Sequence, residues 1–202
     1  MDYIMRGISF FVKRLYPLIL RHKRGLSIGK NTRIDYKTIV RIWNSGNIII
    51  GNKTRLQSNQ RGAHTAKPFP ATLFVDKKNA LIEIGDNSII GAAYIHAQKK
   101  ISIGNKCVIS SGVNIMDSNA HILLSNNRTV GRDEPKEIII GNNVWIALNS
   151  IVLKGTTIGD NCVVAAGSVV KGIFPENSLI QGNPAKVIKQ LDILQDTPKF
   201  KD

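Results

Sequence analysis

Residues 140–170 read IGNNVW, IALNSI, VLKGTT, IGDNCV, VAAGSV and V, a six-residue beat set by Ile140, Ile146, Val152, Ile158, Val164 and Val170. Small residues stand four places after the aliphatic ones, Ser150, Thr156, Cys162 and Ser168 among them. A period of six fits neither an amphipathic helix, which repeats every ~3.6 residues, nor a half-buried strand, which alternates. It predicts a coiling chain with one short strand per hexad, the aliphatic residue inward and Gly or Asn at the turn, where φ is positive. Three hexads would close a triangular coil.

The same beat runs earlier, through Ile28-Gly29 with Thr32, Ile50-Gly51 with Thr54, Ile84-Gly85 with Ser88, then Ile90, Ile103, Ile109 and Ile115. At 202 residues, 43% hydrophobic and only 6% aromatic, the chain predicts one domain whose core is layered Ile and Val. Cys107 and Cys162 fill the small position of IGNKCV and IGDNCV, as buried small hydrophobes rather than a disulfide or zinc framework. Two stretches interrupt the beat. Residues 57–80, QSNQRGAHTAKPFPATLFVDKKNA, carry Pro68 and Pro70 and read as a loop leaving the coil. A second break begins at NIMDSNAH and runs to Glu137.

Residues 1–25, MDYIMRGISFFVKRLYPLILRHKRG, stand outside the beat. Lys13 and Arg14 interrupt the apolar run, which is too short to span a bilayer, and no small-residue cleavage site follows. The expectation is an amphipathic segment packed over the first coil, with contact to a membrane surface as the second reading. Charge is uneven: residues 1–100 hold 18 Lys and Arg against 5 Asp and Glu, and the rest 10 against 9. Such an excess suggests a polyanionic partner (acidic polysaccharide, nucleic acid or anionic lipid), against the plain alternative of a basic soluble surface. No aromatic-interleaved basic motif supports nucleic acid, which is set aside.

The unbroken hexads, the VWIA segment at 144–147 and the GNPAK segment at 182–186 resemble the hexapeptide-repeat acyltransferases over roughly residues 26–190. The layout is most similar to bacterial O-acetyltransferases acting on capsular polysialic acid. The resemblance implies an all-β, left-handed parallel β-helix. Spacing alone does not give that hand, since parallel crossovers are as a rule right-handed. The expected organisation is an N-terminal segment at 1–25, the β-helix at 26–182 with its two loops near 57–80 and 117–137, and a C-terminal helix and tail at 183–202. Short helical segments therefore flank the solenoid at both ends. The resemblance also implies acetyl-CoA as co-substrate, no metal, and a homotrimer that builds its active sites between neighbouring solenoids.

On this reading the chemistry lies at the second break. His121 follows the last rung, Ile115, and imidazole is the natural base for a sugar hydroxyl. Asp117 or a backbone carbonyl would fix its tautomer, and Asn119 would touch the acceptor. Trp145, outward in its hexad, reads either as a trimer-interface anchor or as a wall beside the coenzyme thioester, donating its N–H to the reacting oxygen. Backbone N–H groups of Ala147 and Leu148 are the candidate oxyanion donors. Ala165 and Ala166 would let the pantetheine arm lie close, with Lys154, Lys171 and Lys186 near the coenzyme. Asn183 and Pro184 read as a helix start and anion site. Arg61, His64, Lys67, Lys77 and Lys78 of the first loop would grip an anionic acceptor. His96 reads as a coil-edge residue and Tyr94 as a sign of a widened corner. His22, His64, His96 and His121 do not offer the spacings of a three-histidine zinc site.

The expected activity is thus acetyl transfer to a hydroxyl of an acidic capsular glycan such as polysialic acid, in the cytoplasm or at the inner face of the inner membrane. The alternatives are another sugar, amino sugar or xenobiotic acceptor, or a non-enzymatic polyanion-binding solenoid.

Overall fold

The computed structural model describes residues 15–16, 18–58 and 69–194. Strands follow one another coil by coil. The first coil holds β1 (Leu26–Ile28), β2 (Arg33–Ile34) and β3 (Ile39–Ile42); the second β4 (Asn47–Ile50), β5 (Arg55–Leu56) and β6 (Thr72–Val75). The third holds β7 (Leu81–Ile84), β8 (Ile89–Ile90) and β9 (Tyr94–Ala97); the fourth β10 (Lys100–Ile103), β11 (Val108–Ile109) and β12 (Asn114–Met116). After the second break come β13 (Ile138–Ile140), β14 (Trp145–Ile146) and β15 (Ile151–Val152), then β16 (Thr157–Ile158), β17 (Val163–Val164) and β18 (Val169–Val170). The last coil has β19 (Ile173–Phe174) and β20 (Ser178–Gly182), followed by β21 (Ala185–Gln190).

Every third strand pairs in parallel, giving sheet A (β1-β4-β7-β10-β13-β16-β19), sheet B (β2-β5-β8-β11-β14-β17-β20, with β21 added antiparallel to β20) and sheet C (β3-β6-β9-β12-β15-β18). The three sheets are the faces of a triangular prism, the coil that the hexad beat predicts, in the left-handed parallel β-helix that the resemblance implies. Its inward columns are fully buried and aliphatic, including Ile50, Ile84, Ile103 and Ile140 from sheet A, Ile90, Ile109 and Ile146 from sheet B, and Ile95, Ile115 and Val152 from sheet C. Each such side chain contributes about 1.5–3 kcal/mol of burial.

The corner between sheets A and B repeats one set of bonds. The N–H of Asn52 donates to Asp86 Oδ1 at 2.6 Å, that of Asp86 to Asn105 Oδ1 at 2.7 Å, that of Asn105 to Asn142 Oδ1 at 2.9 Å and that of Asn142 to Asp160 Oδ1 at 2.7 Å. The following residues, Asn31, Lys53, Asn87, Lys106, Asn143 and Asn161, turn the chain with φ between 53° and 59°, a conformation Asn tolerates better than most residues. Cys107 and Cys162 are buried and unpaired, as expected; burial raises both thiols, and their Sγ atoms meet the carbonyls of Gly141 and Pro175.

Several expectations are corrected. Residues 57–80 do not form one long loop, because Thr72–Val75 is a fully buried rung of sheet C and Ala80 is buried. Pro70 stands two residues before that rung. The GNPAK segment is not a helix start: Asn183-Pro184 is a cis peptide in the turn of the antiparallel β20–β21 hairpin, and residues 185–190 extend rather than coil. Residues 195–202, the rest of the expected C-terminal helix and tail, lie outside the described residues. On β9 Ile95 is the inward residue, and Tyr94 and His96 flank it on the outer face. At the other end a helical turn at residues 18–21 buries Leu20 over the first coil, and Tyr16 Oη donates to Thr38 O. No helix among the described residues is long and apolar enough to cross a membrane.

Candidate active site

The second break leaves the solenoid after β12 and re-enters at β13, so its loop, residues 117–137, springs from the corner between sheets C and A. The loop is pinned to that corner by three carboxylates. Asp117 is fully buried, its oxygens accepting the N–H groups of Gln98 and Lys99 at 2.7 Å each. Burial pushes its carboxyl up, against those bonds. Asp133 accepts from Ser118 Oγ, from the N–H of Asn119 at 2.8 Å and from Lys154 Nζ. Burial alone would raise Asp133, but the Lys154 ammonium and the other two donors hold it down at about 2. Asp76, in the 76–80 turn of the same corner two coils away, receives Arg132 of the loop at 3.2 Å and Gln98 Nε2 at 3.3 Å.

Within this frame Ala120 takes φ 63° and His121 follows, exposed, with Nδ1 2.7 Å from the carbonyl oxygen of Arg128. That contact fixes the ring: Nδ1 carries the proton and donates it to the carbonyl, so Nε2 presents its lone pair outward. Arg128 is itself held, Nη1 donating to the carbonyls of Ile122, at 2.9 Å, and Ser125. Of the two tautomer anchors expected, the backbone carbonyl is therefore the one in place. Asp117 does not reach His121; its carboxylate closes the coil. Asn119 contributes its N–H to Asp133.

Trp145 lies on β14 with its side chain outward and half exposed, and its Nε1 donates to Ser110 Oγ at 3.1 Å. It therefore does not offer that N–H to a reacting oxygen. Ala147 is corrected as an oxyanion donor too, since its N–H bonds Val164 O at 2.9 Å in the coil ladder. Leu148, Ala165, Ala166 and the Asn183-Pro184 turn stack along one corner, between sheets B and C, with Gly167 beside them, where an added Cβ would meet nothing within 4 Å. Lys186 lies on β21 next to it. Lys154 and Lys171 do not: they sit on the sheet C to sheet A corner, and Lys154 is bound to Asp133 and to Glu134 O.

Within one chain, His121 and Trp145 are not brought together. The corner carrying His121 is the one opposite face B, where Trp145 lies, and Arg132, Asp117 and Asp133 hold the loop there. Lys77 and Lys78 share the His121 corner; Arg61, His64 and Lys67 lie outside the described residues. Sequence reasoning missed the Asp76–Arg132 and Asp133–Lys154 clamps, because charged residues inside a break carry no period. It also read His96 too simply: the ring stacks on Phe74 with centroids 4.5 Å apart and lies 3.2 Å from Asp76, without hydrogen-bond alignment. Among the described residues no group of His, Cys, Asp and Glu could hold a metal ion.

A triangular solenoid of three parallel sheets built on a six-residue repeat defines a fold class, the hexapeptide-repeat β-helices. Residues 137–172 match the family model "Bacterial transferase hexapeptide (six repeats)" and residues 82–116 "Hexapeptide repeat of succinyl-transferase". Both segments are similar to hexapeptide repeats of this family. It is 38% identical over 107 residues to the putative lipopolysaccharide biosynthesis O-acetyl transferase WbbJ of Escherichia coli, covering 48% of this chain and 55% of that one. It is 34% identical over 102 residues to the galactoside O-acetyltransferase of the same organism, covering 50% of each. The chain thus spans about half the length of the curated relatives it matches. Among solved structures, AntD, an N-acyltransferase from Bacillus cereus in complex with dTDP and 3-hydroxybutyryl-CoA, superposes with TM-score 0.64 at 22% identity over 83% of this chain and 85% of that one. The polysialic acid O-acetyltransferase OatWY does so with TM-score 0.56 at 23% identity over 87% and 92%. At these identities the structural likeness concerns the fold.

Proposed function

We propose that the chain is an acetyl-CoA-dependent O-acetyltransferase acting on a hydroxyl of an acidic glycan, polysialic acid being the first acceptor to test. The observation that carries the reading is His121, its Nδ1 proton anchored by a backbone carbonyl and its Nε2 directed outward on a pinned loop. O-acetyltransferases among the partial relatives support the reaction, and the excess of cations in residues 1–100 supports the acidic acceptor. In this mechanism His121 Nε2 accepts the hydroxyl proton as the acceptor oxygen bonds to the acetyl carbonyl carbon. The carbon–sulfur bond then breaks and the imidazolium returns the proton to the leaving thiolate. Acetyl-CoA supplies the acetyl group, and the sheet B to sheet C corner, with Ala165, Ala166 and Lys186, would hold its arm.

Because His121 and Trp145 occupy opposite sides of one prism, the reading includes a homotrimer in which one chain's His121 meets its neighbour's Trp145 face. The outward row Ile89, Val108, Trp145, Val163 and Leu179 on sheet B supplies an apolar surface for that contact. Lys77 and Lys78, beside the loop, would meet the acceptor, and the use of acetyl-CoA places the reaction in the cytoplasm. The test is thiol release from acetyl-CoA by the purified chain, with polysialic acid, neutral sugars and chloramphenicol as separate acceptors. Turnover with polysialic acid alone is expected. Turnover only with neutral acceptors would sink the acidic-glycan assignment, and none with any acceptor would sink acetyl transfer.

A further inference from the structure

Strands β2 and β5 set Arg33 and Arg55 in register on the outer face of sheet B, both exposed. Adjacent strands lie about 4.8 Å apart, so two guanidinium groups rise side by side, and like charges in that relation are destabilising. Among the described residues no ion pair offsets the repulsion: those formed are His96–Asp76, Lys100–Glu83, Arg132–Asp76 and Lys154–Asp133. The carboxylates nearest in the coils have other partners. Asp35 Oδ2 accepts the N–H of Ser58 at 2.9 Å, and Asp86 accepts the N–H and Nδ2 of Asn52. On the adjoining corner Lys30 and Lys53 line, with Asp86, an open depression of about 500 Å³. Four cations over two coils thus share two carboxylates that are already bonded. The same outward row continues through Ile89 and Val108 to Trp145, three strand steps or roughly 14 Å from Arg55.

We propose that Arg33 and Arg55, flanked by Lys30 and Lys53, form a binding track for the carboxylate groups of an acidic polysaccharide lying along the solenoid axis. The identity of the polymer rests on the acidic-glycan reading above; the track itself rests on the unneutralised, in-register pair. A guanidinium fork matches a carboxylate with two parallel hydrogen bonds, and a column of cations along the axis suits a linear polymer. Single-stranded nucleic acid would call for aromatic faces among the cations, where the row instead has aliphatic Ile89 and Val108. An anionic bilayer would call for cations spread over a flat face.

The experiment is equilibrium binding of fluorescently labelled polysialic acid to the full chain and to the double variant Arg33→Gln/Arg55→Gln, with dextran and poly(dT) as comparison polymers. Melting temperature and oligomeric mass are read on both proteins. Expected are salt-sensitive binding of polysialic acid by the native chain, at least tenfold weaker binding by the variant, an unchanged mass, and a melting temperature unchanged or higher because the repulsion is gone. Equal affinity of the two proteins, preference for poly(dT), or no binding of polysialic acid by the native chain would each overturn the track. A lower melting temperature or a changed mass would do so as well, by assigning the pair to assembly. Thiol release is measured separately, so its absence would defeat the acetyltransferase reading and not the track.

Discussion

The corner between sheets A and B and the corner between sheets C and A are folded from the same six-residue repeat, yet they do opposite things. At the first, the second to sixth coils present Gly, then Asn or Asp, and that side chain is consumed in accepting the preceding coil's backbone N–H. At the second, the turns differ in length from coil to coil, and Asp76, Asp117 and Asp133 converge on one loop. Where a bond repeats, it stabilises a stack; where the repeat fails, side chains are available to place a reactive group. A solenoid can therefore carry chemistry at an irregular corner without weakening the regular one that holds it together.

The widest separation between the corners should come from His121→Ala. This side chain is exposed and its hydrogen bond goes to the Arg128 carbonyl, so stability should move by no more than about 0.5 kcal/mol, while kcat falls by roughly a hundredfold or more. Near-native turnover would remove His121 from the reaction. Mixing this variant with Trp145→Ala sharpens the comparison, because two defective chains would rebuild intact sites where a good His121 meets a good Trp145. Random mixing restores about a quarter of the sites in a closed symmetric oligomer. No recovery on mixing would mean that one chain supplies both groups.

At the regular corner the expected effect is on stability instead. A Cβ on Gly85 would lie 2.7 Å from the carbonyl carbon and oxygen of Gly104 and 2.6 Å from Asn105 Oδ1, and backbone cannot yield as a flexible side chain does. Gly85→Ala should cost about 3 kcal/mol, lowering Tm by roughly 6–12 °C for a chain of this size, with kcat per folded molecule unchanged. A Tm within a degree of the parent would show that neighbouring coils can slide apart.

This division also explains what could be read in advance. The aliphatic columns, the Asn turns and the buried cysteines all belong to the period, so Ile140, Asn143 and Cys162 announce their places by position. His121 was legible because it stands directly after the last rung before a break. Rung β6 was hidden by Pro68 and Pro70, which signal a loop but not where it ends. The β21 strand was hidden because Asn and Pro also start helices, and nothing local distinguishes a hairpin. The clamps on the loop depend on which coil faces which residue, and that follows only once the coils are stacked.

The smallest effect lies in the acid range and tests whether the loop clamp acts in solution. The ordinary carboxyl value of Asp133 is 3.8, and the fold holds it at about 2. Its carboxylate is thus favoured in the folded state, so the clamp's contribution is complete above about 4 and is lost as pH falls through about 2. The amide proton of Asn119, which bonds that carboxylate, should titrate with a midpoint near 2. Replacing the partner, Lys154→Met, should raise this midpoint towards the ordinary value. At the regular corner the amide of Asn52, which bonds Asp86, should be unmoved by the same substitution, because Asp86 is held low first by that backbone bond and then by the Asn52 side chain. An Asn119 midpoint already near the ordinary value in the native chain would mean that Lys154 does not hold the loop. The irregular corner would then owe its order to Asp117 and the Asp76–Arg132 contact alone.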